Sequence, residues 1–195
     1  MGVSLLDHST NQRYPNANLY TPSKSLSLWA QLILFFLVLL VTISICIDTL
    51  RLGISPMPTS KKVRRVVLAT VGKGKVYELG SGWGTLAIEL SRKNEVIALE
   101  KAWVPWFFSK FNNVLRGGTV KIQRQNIYSL KYTDADVVFC YLYPGAMRKL
   151  APKFGKELKT GAIVFSNTFQ IPGRNPSEVL EINDWFRTKV YVYHY

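Results

Sequence analysis

The segment 76–84, with sequence VYELGSGWG, constrains the fold of this chain more than any other. A short apolar run ends in Glu78, and three glycines then alternate with other residues. Helix-like residues 85–92 follow, and a second apolar run at 96–99 ends in Glu100. This order, in which a strand, a glycine loop, a helix, a second strand and an acid follow one another, predicts an α/β sheet. It places a ligand pocket at the carboxyl edge of that sheet.

The spacing of the glycines indicates which nucleotide-like ligand this loop accepts. Dinucleotide folds carry G-x-G-x-x-G, whereas the glycines here are Gly80, Gly82 and Gly84. Glycine lets the backbone approach a ligand that a Cβ would exclude. Glu78 would repel a pyrophosphate but suits a cation, and Glu100 can accept hydrogen bonds from two ribose hydroxyls. S-adenosylmethionine, with its sulfonium and ammonium groups, fits both carboxylates; the alternative is that the glycines form only a tight turn.

Residues 29–47 form an uncharged apolar segment in which only Gln31, Thr42 and Ser44 are clearly polar. A helix of that length spans about 28 Å, close to the hydrocarbon thickness of a bilayer. A buried core helix would show a polar face, and a cleaved signal peptide would start earlier and end at a small-x-small site. The segment therefore predicts a single transmembrane helix over residues 28–50.

Basic residues flank this apolar segment unevenly. Arg13 and Lys24 precede it, and five Lys or Arg residues lie between positions 51 and 65. By the positive-inside rule, the carboxyl-terminal part faces the cytoplasm at a bacterial inner membrane, or the matrix at a mitochondrial inner membrane. We therefore divide the chain into a disordered tail at 1–27, the transmembrane helix at 28–50, a juxtamembrane basic connector and helix at 51–71, and an α/β domain at 72–195.

The net charge of +13 belongs to the part of the chain after residue 50. Residues 1–50 contain two basic and two acidic side chains, so residues 51–195 hold the remaining 23 basic and 10 acidic ones. For a tethered domain this excess predicts contact with anionic lipid, chiefly through the basic run 61–65, at about 1 kcal/mol per basic residue. The alternative is a nucleic-acid face, but the sequence carries no recognised RNA-binding signature, and we expect no nucleic-acid partner.

The cysteines and histidines are few and far apart. The two cysteines, Cys46 and Cys140, fall in the apolar segment and in a predicted buried strand, and the two histidines lie near opposite ends of the chain. This distribution predicts neither a disulfide framework nor a metal site.

Apolar runs and helix-like segments alternate after residue 60. We predict strands at 76–79, 96–100, 120–125, 136–141 and 162–168, and helices at 61–71, 85–92, 104–115 and 146–158. This alternation favours a mostly parallel, doubly wound sheet with helices on both faces. Two further runs, 179–182 and 190–195, predict antiparallel closing strands. Residues 52–60 contain two prolines and predict an extended connector.

Two further loops at the predicted carboxyl edge carry candidate ligand contacts. Asn126 follows the third strand, and its amide could accept from an adenine amino group and donate to a ring nitrogen, or could belong to an ordinary turn. Tyr141 and Tyr143 follow the fourth strand, where aromatic walls could desolvate an ammonium group and lower its pKa, or the two rings could simply pack. The predicted cofactor contacts are Thr59, Glu78, Gly80, Ser81, Gly82, Gly84, Glu100, Asn126 and Ile127.

The glycine loop and the acid at position 100 resemble motifs I and II of the class I S-adenosylmethionine-dependent methyltransferases. The segments 136–142, 150–158 and 163–173, with Pro-Met-Pro-Thr at 56–59, are similar to the small protein-lysine methyltransferases, archaeal and membrane-anchored. This resemblance covers about residues 56 to 195. It implies the Rossmann-like class I fold with an inserted last strand, and S-adenosylmethionine as cofactor. The chain lacks the Asn/Asp-Pro-Pro-Tyr/Phe tetrad of nucleic-acid and glutamine methyltransferases.

The resemblance further implies N-methylation of lysine side chains in a membrane-associated protein. Such a transfer is an in-line displacement, so the protein mainly positions the two reactants and excludes water, and the sequence names no general base. Three alternatives remain open: methylation of a lipid, quinone or other small molecule, methylation of RNA, and a non-catalytic cofactor-binding scaffold.

Overall fold

The computed structural model describes residues 27–52 and 57–195, with the side chains of residues 51 and 52 excepted. The tail that we predict to be disordered lies outside the described residues except for Ser27, and so do residues 53–56 of the predicted connector. The helices are α1 Leu28–Leu52, α2 Lys61–Thr70, α3 Thr85–Leu90, α4 Trp103–Leu115 and α5 Pro144–Glu157. The strands are β1 Lys75–Leu79, β2 Glu95–Leu99, β3 Lys121–Gln123, β4 Val137–Cys140, β5 Ile163–Asn167, β6 Glu178–Glu181 and β7 Lys189–His194.

Helix α1 carries no charged residue before Asp48 and has no polar face over that length. By length and composition, Leu28–Leu50 could cross a membrane, a property that core helices and signal sequences can share. The most hydrophobic part of this helix buries none of its residues within the structure, unlike a core helix. A membrane span over this helix stays a prediction.

The strands form a seven-stranded sheet in the order β3-β2-β1-β4-β5-β7-β6. Strands β1 to β5 are parallel, and β7 lies antiparallel between β5 and β6. The predicted α/β class, with a mostly parallel, doubly wound sheet and antiparallel closing strands, is therefore confirmed. So is the insertion of the last strand beside the fifth, which the family resemblance implied. The parallel arrangement brings the carboxyl ends of β1 to β5 to one edge, the catalytic edge.

Alternation along β1 separates the two faces of the sheet. Val76 packs with α2 and α3, in a core that includes Val67 and Leu86. Tyr77 and Leu79 point to the other face and pack in a second core, with α5. Side chains alternate across a strand, so Glu78 shares the α3 face with Val76. This placement decides what surrounds the first candidate carboxylate.

Most predicted elements differ from the observed ones by one or two residues at an end, and two of these differences have a clear physical reason. The predicted strand 120–125 is shorter as observed, because β3 pairs only with residues 97–99 of β2 before the chain leaves the sheet. Helix α5 begins at Pro144, two residues before the predicted start at 146, since proline is tolerated at the first helical position. It also continues past an internal Pro152.

Candidate active site

The loop after β1 is held against the end of β2 by its own backbone. The N–H groups of Gly80 and Ser81 donate to the carbonyl of Leu99 at 2.9 and 3.0 Å. Gly80 has φ +71°, and a Cβ there would lie 2.8 Å from Cδ2 of Leu142. Gly82 has φ +53°, and no described atom lies within 4 Å of where its Cβ would be. The left-handed backbone favours glycine at both positions, and at 82 the loop leaves space for a ligand.

Glu100 joins this loop to the start of α4. Its Oε2 accepts from the N–H of Gly82 and its Oε1 from the N–H of Ala102, both at 2.8 Å. The side chain is buried, and this desolvation raises the pKa of Glu100, while the backbone donors act in the opposite direction. Each carboxylate oxygen has a further lone pair, so Glu100 can hold the loop and still accept from ligand hydroxyls.

A cavity at the catalytic edge brings most of the predicted site residues together. The predicted residues on its wall are Gly80, Gly82, Glu100, Asn126, Ile127, Tyr141 and Tyr143. Several other residues on the wall were not predicted from the sequence, including Ala102, Pro105, Tyr128, Leu142, Ala146 and Lys149. Ala102 and Tyr128 follow predicted contacts by two residues, so proximity in the chain was an available signal. Lys149 lies on α5 and could not be placed without the fold.

Four predicted contacts do not line this cavity: Thr59, Glu78, Ser81 and Gly84. Gly84 instead lets two helices approach, because a Cβ there would lie 2.9 Å from the Cβ of Ser109 on α4. The carbonyl of Thr59 accepts from Arg64 at 2.7 Å, and Arg64 also pairs with Glu89 on α3 at 2.9 Å. Thr59 is thus fixed against α2 and α3.

Glu78 is buried on the α3 side of the sheet, only 3% exposed. Burial raises the pKa of Glu78 to about 8; a hydrogen bond from the N–H of Ala87 lowers it, and the charge of Glu100 raises it. Its Oε2 has no hydrogen-bond partner among the described residues, and neither has the buried Oγ of Ser81. Buried polar atoms are seldom left unpaired in proteins. These two orphaned atoms, on either side of Gly80, are suited to a ligand with hydrogen-bond donors.

Asn126 forms a turn and also lines the cavity. Its Oδ1 accepts from the N–H of Tyr128 at 3.0 Å, and its backbone carbonyl accepts from the N–H of Ser129 at 3.1 Å. This Asx-turn fixes the direction of the amide. The two interpretations of Asn126, turn residue and ligand contact, are therefore compatible.

Tyr141 and Tyr143 are half-buried on the wall of the same cavity. Both also pack, Tyr141 against the core beneath α3 and Tyr143 against the core beneath α5. The carbonyl of Tyr143 accepts from the N–H groups of Ala146 and Met147, so the first turn of α5 fixes its backbone. Both rings therefore belong to the cavity wall, and α5 fixes the backbone of Tyr143.

Comparison with known proteins identifies the family. Residues 78–178 match the model of the ANTKMT methyltransferase domain. The chain belongs to this family. A protein-lysine N-methyltransferase of Saccharolobus islandicus (strain REY15A) is 30% identical over 136 residues, which cover 66% of this chain and 84% of that protein. The chain is a class I S-adenosylmethionine-dependent methyltransferase, and S-adenosylmethionine is its cofactor, as predicted.

Two solved structures share the fold of this methyltransferase. An RNA methyltransferase from Salinibacter ruber, in complex with S-adenosyl-L-homocysteine, has a TM-score of 0.65 at 24% identity, covering 71% of this chain and 93% of that one. A precorrin 8w decarboxylase from Methanobacterium thermoautotrophicum has a TM-score of 0.55 at 16% identity, covering 72% and 92%. At these identities the likeness concerns the fold alone.

The side chains of the methyltransferase fit this cofactor chemically. Glu100 lines the cavity, and the buried, unpaired Oε2 of Glu78 belongs to a residue two positions before the cavity-lining Gly80. A ligand with hydroxyl and cationic groups complements these two acids. Among the described residues, no group of three or more His, Cys, Asp or Glu could hold a metal ion.

The pKa of Glu78 predicts how cofactor affinity of the methyltransferase depends on pH. Without ligand this carboxyl has a pKa of about 8 and is mostly protonated at neutral pH. A cation favours the carboxylate, so affinity should rise between about pH 6 and 8, by at most about tenfold per unit. The Glu78→Gln variant should lack this component. Calorimetric titration of both proteins over pH measures it, since comparing them cancels titration of the ligand itself; identical slopes would contradict the assignment.

The raised pKa of Glu78 has the opposite effect on the stability of the cofactor-free protein, which should fall as pH rises. The folded-state pKa of Glu78 lies above the ordinary 4.5, so its contribution is complete at low pH and is lost as pH rises through about 8. Unfolding free energy should fall by at most about 1.4 kcal/mol per pH unit in this window. The Glu78→Gln variant should not show this decline, which denaturant titration at several pH values would measure.

Proposed function

We propose that this methyltransferase N-methylates lysine side chains of a protein at a membrane surface. The observation that carries the proposal is the likeness to a protein-lysine N-methyltransferase, 84% of which the chain covers at 30% identity. The aromatic wall of the cavity supports it, because Tyr141 and Tyr143 can enclose an aliphatic amine.

The proposed cofactor contacts lie around the glycine loop. Gly80 and Gly82 admit the ligand to the backbone, and Glu100 accepts from the ribose hydroxyls. Asn126 and Ile127 contact the adenine from the loop after β3. Glu78 and Ser81 do not line the cavity themselves, but they flank the cavity-lining Gly80 in the chain, and their unpaired oxygens would accept from the methionine end of the cofactor. Bound S-adenosylmethionine supplies an electrophilic methyl group.

The cavity wall combines aromatic rings with two lysines, Lys101 and Lys149, and two carboxylates, Asp48 and Glu100. Lys149 lines the cavity from α5, and its Nζ lies 5.6 Å from the ring centre of Tyr128. A lysine amine must be neutral to attack the methyl group. A nearby cation and partial desolvation both lower the pKa of an entering ammonium. An acceptor amine beside Lys149 would therefore lose its proton to water without a dedicated general base, whereas the carboxylates of Asp48 and Glu100 favour the charged amine.

The membrane location rests on α1 and on the charge that follows it. Leu28–Leu50 is long and apolar enough to span a bilayer, and it precedes the basic run of α2. Lys61, Lys62 and Arg65 of that run are exposed and available to anionic lipid. With the basic flank inside, the catalytic domain faces the cytoplasm or the mitochondrial matrix.

Fractionation of transferred methyl groups tests the proposed acceptor class. Membranes from cells lacking this protein would be incubated with the full chain and radiolabelled S-adenosylmethionine, with the Gly82→Arg variant as control. We expect label in a discrete protease-sensitive band, absent with the control. Label confined to the organic extract would contradict protein methylation and indicate a lipid or quinone acceptor. Label sensitive to ribonuclease would contradict it in favour of RNA.

A further inference from the structure

The turn between β6 and β7 exposes two aromatic side chains. Trp185 is 94% and Phe186 82% exposed, the largest exposures of aromatic residues among the described ones. Isolated exposed apolar residues are ordinary on protein surfaces, but two adjacent aromatic rings at the tip of a turn form a concentrated apolar surface. Within the described part of the chain, neither ring takes part in an aromatic or cation–π pair.

This turn is rigid rather than loose. Both carboxylate oxygens of Asp184 accept from Thr188, one from its N–H and one from its hydroxyl, each at 2.8 Å. Ile182 donates to the carbonyl of Thr188 at 2.8 Å, and Arg187 donates to the carbonyl of Asp184 at 3.1 Å. Arg187 is held at φ +46°, an uncommon backbone conformation for a non-glycine residue. The chain therefore fixes the backbone that presents the two rings to solvent.

The strand pairing places this turn at the catalytic edge. Strand β7 is antiparallel to β5, and Val190, near its start, pairs with Asn167 at the end of β5. Strand β6 is antiparallel to β7 in turn, so it ends at the same edge. The turn 182–188 thus shares the edge of the sheet that carries the cofactor cavity.

The same turn also contacts the beginning of α2. Lys62 donates through its Nζ to the carbonyl of Asn183. Only eight residues, 53–60, separate the end of α1 from α2, and a chain of that length reaches at most about 29 Å. If α1 crosses a bilayer, the first turn of α2 and the aromatic turn beside it stay near its surface.

Charge and aromatic content at this edge match a lipid headgroup layer. Lys61 and Lys62 begin the neighbouring α2, Arg187 belongs to the turn, and all three are exposed, whereas the one acid of the turn, Asp184, accepts hydrogen bonds from Thr188. Trp103, at the start of α4 on the same edge, is 57% exposed, and the guanidinium of Arg124 lies 3.7 Å from its ring centre. From 101 to 133 the sequence has six basic residues and no acidic one. Tryptophan with flanking Lys and Arg is typical of a membrane interface.

We propose that the turn 182–188 inserts Trp185 and Phe186 into the headgroup layer of an anionic membrane, so that the catalytic edge faces the bilayer. The inference rests on the membrane location under the proposed function and narrows its substrate class. The acceptor amine then belongs to a segment that emerges directly from the bilayer. A distant soluble domain would not reach a cavity held against the headgroups.

A nitroxide attached to Trp185→Cys tests this contact in the full chain. The protein, with Cys46→Ser, would be reconstituted in phosphatidylcholine vesicles with or without phosphatidylserine; Cys140 is buried and protected. The matched control is Lys93→Cys, exposed between α3 and β2 at the opposite edge. With phosphatidylserine we expect the label at 185 to collide with a water-soluble nickel chelate roughly threefold less than the label at 93, and more with oxygen.

The experiment distinguishes failure of the aromatic contact from failure of the proposed membrane location. Resistance to alkaline extraction reports α1 insertion in the same vesicles. Inserted protein with equal aqueous collision rates at both positions would overturn the aromatic contact alone. Protection of position 185 accompanied by dipolar broadening between labels would overturn it in favour of a second copy of the chain.

A second variant links the contact to catalysis. The double substitution of Trp185 and Phe186 by serine should reduce methylation of membrane-embedded protein at least roughly fivefold, with S-adenosylmethionine affinity unchanged. These side chains lie outside the core, so the fold should persist. Unchanged methylation by this variant would contradict a role for the turn in presenting the site.

Discussion

The Glu100→Ala variant is expected to bind S-adenosylmethionine at least about 100-fold more weakly than the unaltered protein, since charge-assisted hydrogen bonds contribute about 1.5–3 kcal/mol each. The substitution removes the proposed acceptor of two ribose hydroxyls. It also leaves the N–H groups of Gly82 and Ala102 without their observed partner. The first effect removes a contact with the ligand, and the second loosens the loop that shapes its cavity.

Glu95→Ala is the matched control for Glu100. Glu95 is the first residue of β2, and Glu100 directly follows the last. The exposed carboxylate of Glu95 pairs with Lys121 at 2.8 Å. Exposed ion pairs contribute little to stability, so affinity should change by less than about twofold. Calorimetric titration of the two variants measures the difference, and circular dichroism checks folding. Near-normal affinity of a folded Glu100→Ala protein would refute the ribose assignment.

The Gly82→Arg variant is expected to lose measurable cofactor binding and methyl transfer while remaining folded. Gly82 lines the cavity, and no described atom lies within 4 Å of where its Cβ would be. The side chain therefore meets no obstacle in the protein and enters the space that the ligand would occupy. The left-handed backbone should cost about 1–2 kcal/mol of stability.

Gly117→Arg controls for that backbone cost. Gly117 has φ +61° and an equally open Cβ position, but it follows α4 and does not line the cavity. The two variants should show similar losses of thermal stability, measured by calorimetry. Only Gly82→Arg should lose binding and transfer. Equal activity of the two variants would mean that the ligand does not occupy the space beside Gly82.

The fold could be predicted from the sequence because strong local signals marked its elements. Runs of apolar residues located β1 and β2 to within one residue, and periodicity located α3 and α4 to within two. Strand order depends on contacts distant in sequence. The position of β7 between β5 and β6 came from family resemblance, since periodicity contains no information on which strands pair.

The candidate site was predicted less completely, for a related reason. Residue type and spacing predicted that Gly80, Gly82 and Glu100 lie together, and all three line the cavity. They could not reveal that Gly84 packs against Ser109, twenty-five residues away, or that Lys149 reaches the cavity from α5. They also singled out Glu78 as a candidate acid, but they could not predict that its side chain is buried. Each of these depends on which helices pack on which face of the sheet.

Chemical identification of the methylated group tests the central claim most directly. Membranes labelled by the full chain with radiolabelled S-adenosylmethionine would be delipidated and hydrolysed in acid, and the amino acids separated against methylated standards. The account predicts label in mono-, di- or trimethyllysine, absent with Gly82→Arg. Label in any other methylated product, with none in methyllysine, would contradict it.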